Sequence, residues 1–218
     1  MNNVIRFSIF GDFEKFSTNN LDSYMKMIDF FGKRGYKPAT ANELQLLPNG
    51  QTRVLIMPIF LGETSVTIEI SSTRINFQKT TDDISCGVKK LVEVFSSELV
   101  ELMSMFCENM RISANRVAFN CDIINENIDK SMPTQSTYFD TAEKTEMSIR
   151  NVARKVVNNE ESNVIIEKYV TSQGGYTKYS YDINSIGENS TFRFNNDNIR
   201  KMYDEYAKIA LDIEKGLK

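Results

Sequence analysis

Hydrophobic and polar residues alternate near the start of the chain, over residues 4–10. The apolar members Ile5, Phe7 and Ile9 would all point to one side of an extended chain, because successive side chains of a strand face opposite ways. This pattern predicts a strand with one buried face. Similar alternation predicts further strands over residues 53–61, 65–71, 74–79, 115–124, 163–172, 176–186 and 191–194.

Other segments repeat their apolar residues every three or four positions, which predicts amphipathic helices. Three of them follow side chains that suit a helix N-cap, at Asn19 or Asn20, at Asp82 or Asp83, and at Asn195 or Asn196. A further helix is predicted within residues 141–157. Residues 36–50 are predicted to form a loop that closes with the turn Pro48-Asn49-Gly50.

The predicted elements follow the same order twice, as strand, helix, three strands and long helix. Residues 1–110 form the first half-repeat and residues 111–218 the second. Each half has one apolar sheet face and a long helix to cover it. We therefore expect an α+β fold in a single compact domain, residues 1–218. Its antiparallel sheet would be built from two pseudo-repeated strand-helix-three-strand-helix halves, with the long helices on one face.

Such an arrangement would leave the other face of the sheet polar and open to a partner. The side chains expected on this candidate binding face are Arg6, Ser8, Glu69, Asn76, Arg116, Asn120, Asp122, Tyr179, Tyr181 and Arg193.

Composition excludes several classes of chemistry. The 218 residues include no histidine, so a Ser-His-Asp or Cys-His device and a histidine metal ligand are ruled out. No Gly-Lys-Ser/Thr sequence is present, which excludes a phosphate-binding P-loop. We predict no catalytic residue, no bound metal and no cofactor. The net charge of −3 does not favour a general polyanion binder.

Three cysteines occur without a C-x-x-C pair, which predicts free and inert thiols. The first residues lack the apolar run of a signal peptide. No stretch approaches the roughly 20 apolar residues of a membrane helix. We expect a cytoplasmic protein with no membrane association.

Two chemical alternatives remain open. Asp122, Glu126 and Asp129 could meet at one divalent cation, as in a carboxylate-dependent hydrolase, although their spacing matches no calcium loop. Basic residues could bind nucleic acid with help from nearby aromatic side chains. The basic stretch lies on or near the helix predicted within residues 141–157 and comprises Lys144, Arg150, Arg154 and Lys155.

The element order resembles the duplicated saddle of TATA-binding-protein-like folds, without their basic saddle surface. The chain also resembles a sporadically distributed family of uncharacterised bacterial proteins. That resemblance covers the alternating strand at residues 4–10, the hairpin and long helix at 66–102 and the arginine-containing strand at 115–119. It implies a bacterial cytoplasmic accessory protein from mobile-element or defence-related gene neighbourhoods.

Together these observations favour a non-enzymatic accessory, adaptor or inhibitor-type protein that binds another protein. Self-association as a homodimer, through an edge strand or the polar face, is an open option. A nucleic-acid-binding module that uses the polar face is the first alternative, and the carboxylate-dependent hydrolase is the second.

Overall fold

The computed structural model describes residues 2–83, 87–125, 146–171, 175–187 and 191–216. Their strands are β1 (Asn3–Phe10), β2 (Lys37–Leu46), β3 (Thr52–Leu61), β4 (Val66–Ile70), β5 (Arg74–Thr81), β6 (Arg116–Asn125), β7 (Glu146–Val157), β8 (Glu160–Thr171) and β9 (Tyr176–Ser185). All nine belong to one sheet in the order β2-β3-β4-β5-β1-β6-β9-β8-β7, and every neighbouring pair is antiparallel. The fold of the described residues is therefore α+β with one large antiparallel sheet.

The helices of the described residues are α1 (Leu21–Gly32), α2 (Val88–Lys90), α3 (Ser96–Met110) and α4 (Asn196–Gly216). A 3-10 turn at Glu14–Phe16 precedes α1, and a π-helical turn at Leu91–Phe95 joins α2 to α3. α4 has 21 residues, so it is about 32 Å long and can cross several strands.

β1 lies at the centre of the sheet because it pairs with β5 on one side and β6 on the other. Phe7 stands opposite Phe77 of β5 and Phe119 of β6, so the three rings share one face. All three are at most 1 % exposed. The alternation predicted for residues 4–10 is confirmed, and it places the core on this face of β1.

Each long helix contributes an aromatic ring to this core. Tyr203 of α4 packs on Phe7 and Phe119, with ring centroids 4.8 and 5.8 Å apart. Phe106 of α3 packs on Phe77 at 5.9 Å. In α1, Phe31 stacks on Phe60 of β3 at 4.3 Å and on Phe106 at 5.1 Å. A single cluster of buried residues therefore joins the two halves of the chain.

Two of the predicted helix caps are confirmed. The Asn20 side chain accepts a hydrogen bond from the backbone N–H of Ser23 at 3.2 Å. The Asn195 side chain accepts one from the backbone N–H of Asn198 at 3.0 Å. The helix predicted to begin directly after Asp82 or Asp83 instead begins at Val88, with Gly87 as its N-cap. The Asp83 carboxylate forms an ion pair with the Lys90 ammonium group at 2.6 Å.

The helix predicted within residues 141–157 is wrong from residue 146 onward, and residues 141–145 lie outside the described residues. β7 pairs with β8 at all of its twelve positions. Asn158 and Asn159 join the two strands with φ values of 48° and 65°. Positive φ at both positions is the signature of a two-residue type I′ turn, which favours a hairpin. Pairing across the hairpin therefore outweighs the helix propensity of Ala153, Arg154 and Lys155.

The loop predicted over residues 36–50 contains a strand. β2 pairs with β3 from Lys37–Leu61 to Leu46–Thr52, and the predicted turn closes this hairpin with Gly50 at a φ of 78°. The strand predicted at residues 191–194 reduces to one bridge, between Phe194 and Ala114. In both segments the pairing partner decided the outcome, and a local pattern does not reveal that partner.

Candidate binding surfaces

Arg6, Glu69, Arg116 and Asn120 share the face of the sheet opposite Phe7. The register sets Arg6 between Gln78 of β5 and Asn120 of β6. Arg116 stands opposite Phe10, two pairs beyond Ser8 on the same face. Glu69 stands opposite Asn76, which is itself opposite Ser8. We call this surface the polar face.

Side chains on the polar face hold one another in place. Arg6 donates from Nε to the Gln78 side-chain oxygen at 2.7 Å. The Ser8 hydroxyl donates to Asn76 at 2.8 Å, and Asn76 donates to Glu69 at 2.9 Å. These bonds satisfy polar groups across three strands, so the face is a fixed array of donors and acceptors.

Arg116 lies near the end of the polar face, beside an aromatic ring. Its guanidinium carbon is 4.8 Å from the centre of the Phe10 ring, a cation–π distance. Its Nε is buried and has no hydrogen-bond partner in the described residues. The ring contact, and not a hydrogen bond at Nε, orients this side chain.

Tyr179 and Tyr181 were expected on the polar face, and their placement corrects that expectation. Tyr181 stands opposite Cys121 and is 3 % exposed, on the face that carries Ile183 into the core. Tyr179 is partly buried against the same core. Burial raises the pKa of Tyr181 above its ordinary value. Both rings lie on the core side because β9 directs its odd-numbered residues there.

Arg193 was also expected on the polar face, but it anchors the segment before α4. It donates from Nε to Glu160 at 2.8 Å, and its other nitrogens donate to the backbone oxygens of Asn115 and Ile186. Its side chain is 15 % exposed. The residue therefore ties the start of α4 to β8 and to the segment before β6.

The carboxylate alternative has little support in the described residues. Asp122 forms an ion pair with Lys178 at 3.0 Å on the polar face. Glu126 and Asp129 lie outside the described residues. Within the described part of the chain, no three cysteine or acidic side chains are grouped as metal ligands.

The cysteine prediction is confirmed for the two thiols that the structure describes. Cys107 and Cys121 are both buried, and neither forms a disulfide bond. Burial raises the pKa of Cys107 to about 12. Neither thiol is suited to nucleophilic chemistry, because the reactive form is an accessible thiolate. Cys86 lies outside the described residues.

A group of exposed apolar side chains was missed by the sequence analysis. Leu44, Leu46, Val54 and Ile56 lie on one face of the β2–β3 hairpin and are 71, 78, 56 and 43 % exposed. The backbone N–H and hydroxyl of Thr18 both donate to the Ile56 oxygen, which brings the start of α1 to the hairpin. We call these four residues the hairpin patch. The alternation in Glu43-Leu44-Gln45-Leu46 was a signal that could have found it.

α1 carries two further exposed apolar side chains. Leu21 and Met25 are 65 and 52 % exposed and lie one helical turn apart at the start of the helix. The helix therefore presents apolar residues on its outer side as well as Met27 and Phe31 to the core.

The basic stretch lies on an edge strand and not on a helix. Arg150, Arg154 and Lys155 are exposed residues of β7, and Lys144 lies outside the described residues. Arg150 and Arg154 share a face with Val152 and Val156, which are 56 and 65 % exposed. β7 therefore carries alternating basic and apolar side chains along one face.

None of the helices within the described ranges combines the length and apolar character needed to cross a membrane. Comparison of the chain with protein-family models, with curated proteins and with solved structures finds no match. The function must therefore be inferred from the surfaces of the molecule itself.

Proposed function

We propose that the chain is a non-enzymatic accessory or adaptor protein that binds a folded protein partner through the hairpin patch. The observation that carries the proposal is the exposure of four large apolar side chains on one face of the β2–β3 hairpin. Exposed apolar side chains grouped in this way are typical of protein interaction sites in soluble proteins.

The geometry of the patch favours an apolar protein surface as its occupant. Leu44 and Val54 are directly opposite each other, and Leu46 and Ile56 extend the row at either end. Full burial of side chains of this size contributes about 1.5–3 kcal/mol each. A nucleic acid backbone would gain nothing from these residues, because its affinity comes from pairing phosphates with cations.

The polar face would serve as a second, selective surface in this proposal. The sheet residues that meet the helices are Phe7, Phe60, Phe77 and Phe119, and they lie in register on one face. These contacts support placement of the long helices on that side, with Arg6, Glu69, Arg116 and Asn120 left on the open side.

The order of the strands supports the proposed duplication. Outward from the central pair β1 and β6, the sheet continues through β5, β4 and β3 on one side and through β9, β8 and β7 on the other. α2 and α3 follow β5 along the chain, and α4 follows β9. Among the described residues, no strand of the second half corresponds to β2.

Paired variants test the proposal by affinity capture from the source cells in about 0.5 M salt, where exposed ion pairs are screened. We expect the wild type to retain a specific protein, and Leu44→Glu/Val54→Glu to lose it. Leu61→Glu is the matched control, because Leu61 is 44 % exposed and lies opposite Lys37 on the other face of the hairpin.

Retention of the same proteins by wild type and Leu44→Glu/Val54→Glu would refute the proposal. Recovery of nuclease-sensitive nucleic acid as the only bound species would support the nucleic-acid alternative instead. Circular dichroism of all three proteins should coincide, since each substituted residue is exposed.

A further inference from the structure

β7 is one of the two edges of the sheet that the described residues form. It pairs with β8 at every position, and the sheet formed by the described residues ends there. An edge strand presents a row of backbone N–H and C=O groups that have no partner in the sheet. With twelve residues, β7 is twice as long as a typical strand. It is therefore a long template for an added strand.

The cations of β7 are not neutralised within the described residues. Across the hairpin, Arg154 faces Asn163 and Lys155 faces Ser162. Arg150, Arg154 and Lys155 form no ion pair there. Three positive charges therefore lie along the outer strand of a protein whose net charge is −3.

Glu167, the residue opposite Arg150, has another partner. It accepts a hydrogen bond from the Ser148 hydroxyl at 2.7 Å. A carboxylate on a strand added to the outer side of β7 could therefore accept hydrogen bonds from the guanidinium N–H groups of Arg150 and Arg154, which form no ion pair within the described residues.

We propose that β7 binds an extended acidic segment of a protein partner by strand addition. Carboxylates of the added strand would stand beside Arg150 and Arg154, and its apolar residues would stand beside Val152 and Val156. Main-chain hydrogen bonds would contribute affinity and the alternating side chains would contribute selectivity. The inference rests on the proposed protein-binding function but uses a different surface. The hairpin patch lies at the opposite edge, eight strand spacings or about 38 Å away along the sheet.

Charge disfavours one long pairing of β7 with a second copy of the chain. An antiparallel β7–β7 pair centred on Val152 would place Arg150 of each copy opposite Arg154 of the other. Like charges directly opposite one another destabilise a strand pair. The exposed valines that alternate with the arginines favour a protein strand over nucleic acid, because phosphates gain nothing from contact with apolar side chains.

The probe is a short fluorescein-labelled peptide with the repeat Glu-Ser-Val-Ser, titrated with the full chain and followed by fluorescence anisotropy. Glutamate and valine then alternate along one face of the extended peptide, as arginine and valine do along β7. We expect saturable binding that Arg150→Glu/Arg154→Glu weakens at least about tenfold, since it replaces two attractive pairs with repulsive ones. Lys26→Glu/Lys201→Glu is the matched control. It makes the same change in net charge at exposed helix positions and should leave binding unchanged.

Two N-methylated peptides test whether the backbone of the probe pairs with β7. One blocks the N–H groups of odd positions and the other those of even positions, with the side chains unaltered. Strand addition predicts that one peptide loses binding and the other retains it, because alternate N–H groups of a strand point to opposite edges. Amide hydrogen exchange should also slow within Glu146–Val157 on binding of the unmethylated peptide.

Several results would overturn the inference. These are equal binding of both methylated peptides, equal binding by wild type and Arg150→Glu/Arg154→Glu, or tighter binding of a single-stranded oligonucleotide of the same charge at the same residues. Dimerisation of the wild type that Arg150→Glu/Arg154→Glu abolishes would assign β7 to self-association instead. Peptide binding that survives Leu44→Glu/Val54→Glu separates this surface from the hairpin patch, so either proposal can fail alone.

Discussion

Tyr203 of α4 meets Phe7 of β1 edge-on, with ring centroids 4.8 Å apart and an angle of 66° between the rings. The contact joins the last helix to the central strand. The Tyr203 hydroxyl is buried and has no hydrogen-bond partner in the described residues. Nearly one turn later, Tyr206 shares a 2.8 Å hydrogen bond with the Ser162 hydroxyl. The same helix therefore carries two buried tyrosines that differ in hydrogen bonding. The Tyr206 hydroxyl has a partner, and the Tyr203 hydroxyl has none in the described residues.

Removal of the two hydroxyls should change stability in opposite directions. We expect Tyr203→Phe to raise the free energy of unfolding by about 1 kcal/mol, because an unpaired buried polar group is removed. Tyr206→Phe should lower it by about 1 kcal/mol, because the buried hydrogen bond between Tyr206 and Ser162 is lost. Urea titrations followed by circular dichroism measure both values. A loss of stability in Tyr203→Phe would indicate that its hydroxyl does have a partner.

We expect Arg193 to contribute to the stability of the fold and not to the binding of a partner. Because it bridges Glu160 and two backbone oxygens, we expect Arg193→Ala to destabilise the fold by about 3 kcal/mol. Arg193→Lys should recover only part of this loss, since an ammonium group cannot reproduce the guanidinium geometry. Denaturant titration and partner capture below the unfolding transition are the measurements. Selective loss of capture with unchanged stability would return Arg193 to the binding surface.

Two glycines should respond oppositely to alanine. Gly50 has a φ of 78°, so Gly50→Ala places a side chain in the left-handed region and should cost about 1 kcal/mol. Gly32 ends α1, and the space that an alanine methyl group would occupy there is open, so Gly32→Ala should stabilise by about 0.5–1 kcal/mol. Thermal unfolding of the two variants compares them directly. Equal shifts would mean that the hairpin turn tolerates a side chain.

The Cys107 thiol should make stability fall in alkaline solution. Its pKa is raised by burial to about 12 from an ordinary value of 9.0, so the unfolded chain loses this proton first. The contribution is full below pH 9.0 and is lost as pH rises towards about 12. Urea midpoints against pH, for wild type and Cys107→Ala, measure the difference in slope. Iodoacetamide labelling of Cys107 in the native state would contradict its burial.

For the candidate polar face, the side of the sheet could be inferred from the sequence only where the alternation is clean. Arg6, Glu69, Arg116 and Asn120 lie on strands whose apolar residues clearly mark the other side. In β9 the tyrosines can face either way, because their rings suit the core as well as a half-exposed face. Tyr181 lies beside Cys121 on the core face of the sheet. The apolar side chain of Ile183, two residues later on the same face, indicates that placement, whereas the tyrosine side chain by itself does not.

The sequence by itself determined the elements that depend on neighbouring residues. These are the alternating strands such as β1, the Asn20 and Asn195 caps, and the absence of histidine chemistry. Only the tertiary structure decided the strand identity of β2 and β7, the anchoring role of Arg193 and the exposure of the hairpin patch. The physical reason is range. A cap or an alternating strand is specified within a few residues, whereas strand pairing depends on the whole of the facing strand, and burial depends on elements that the chain brings together from far apart.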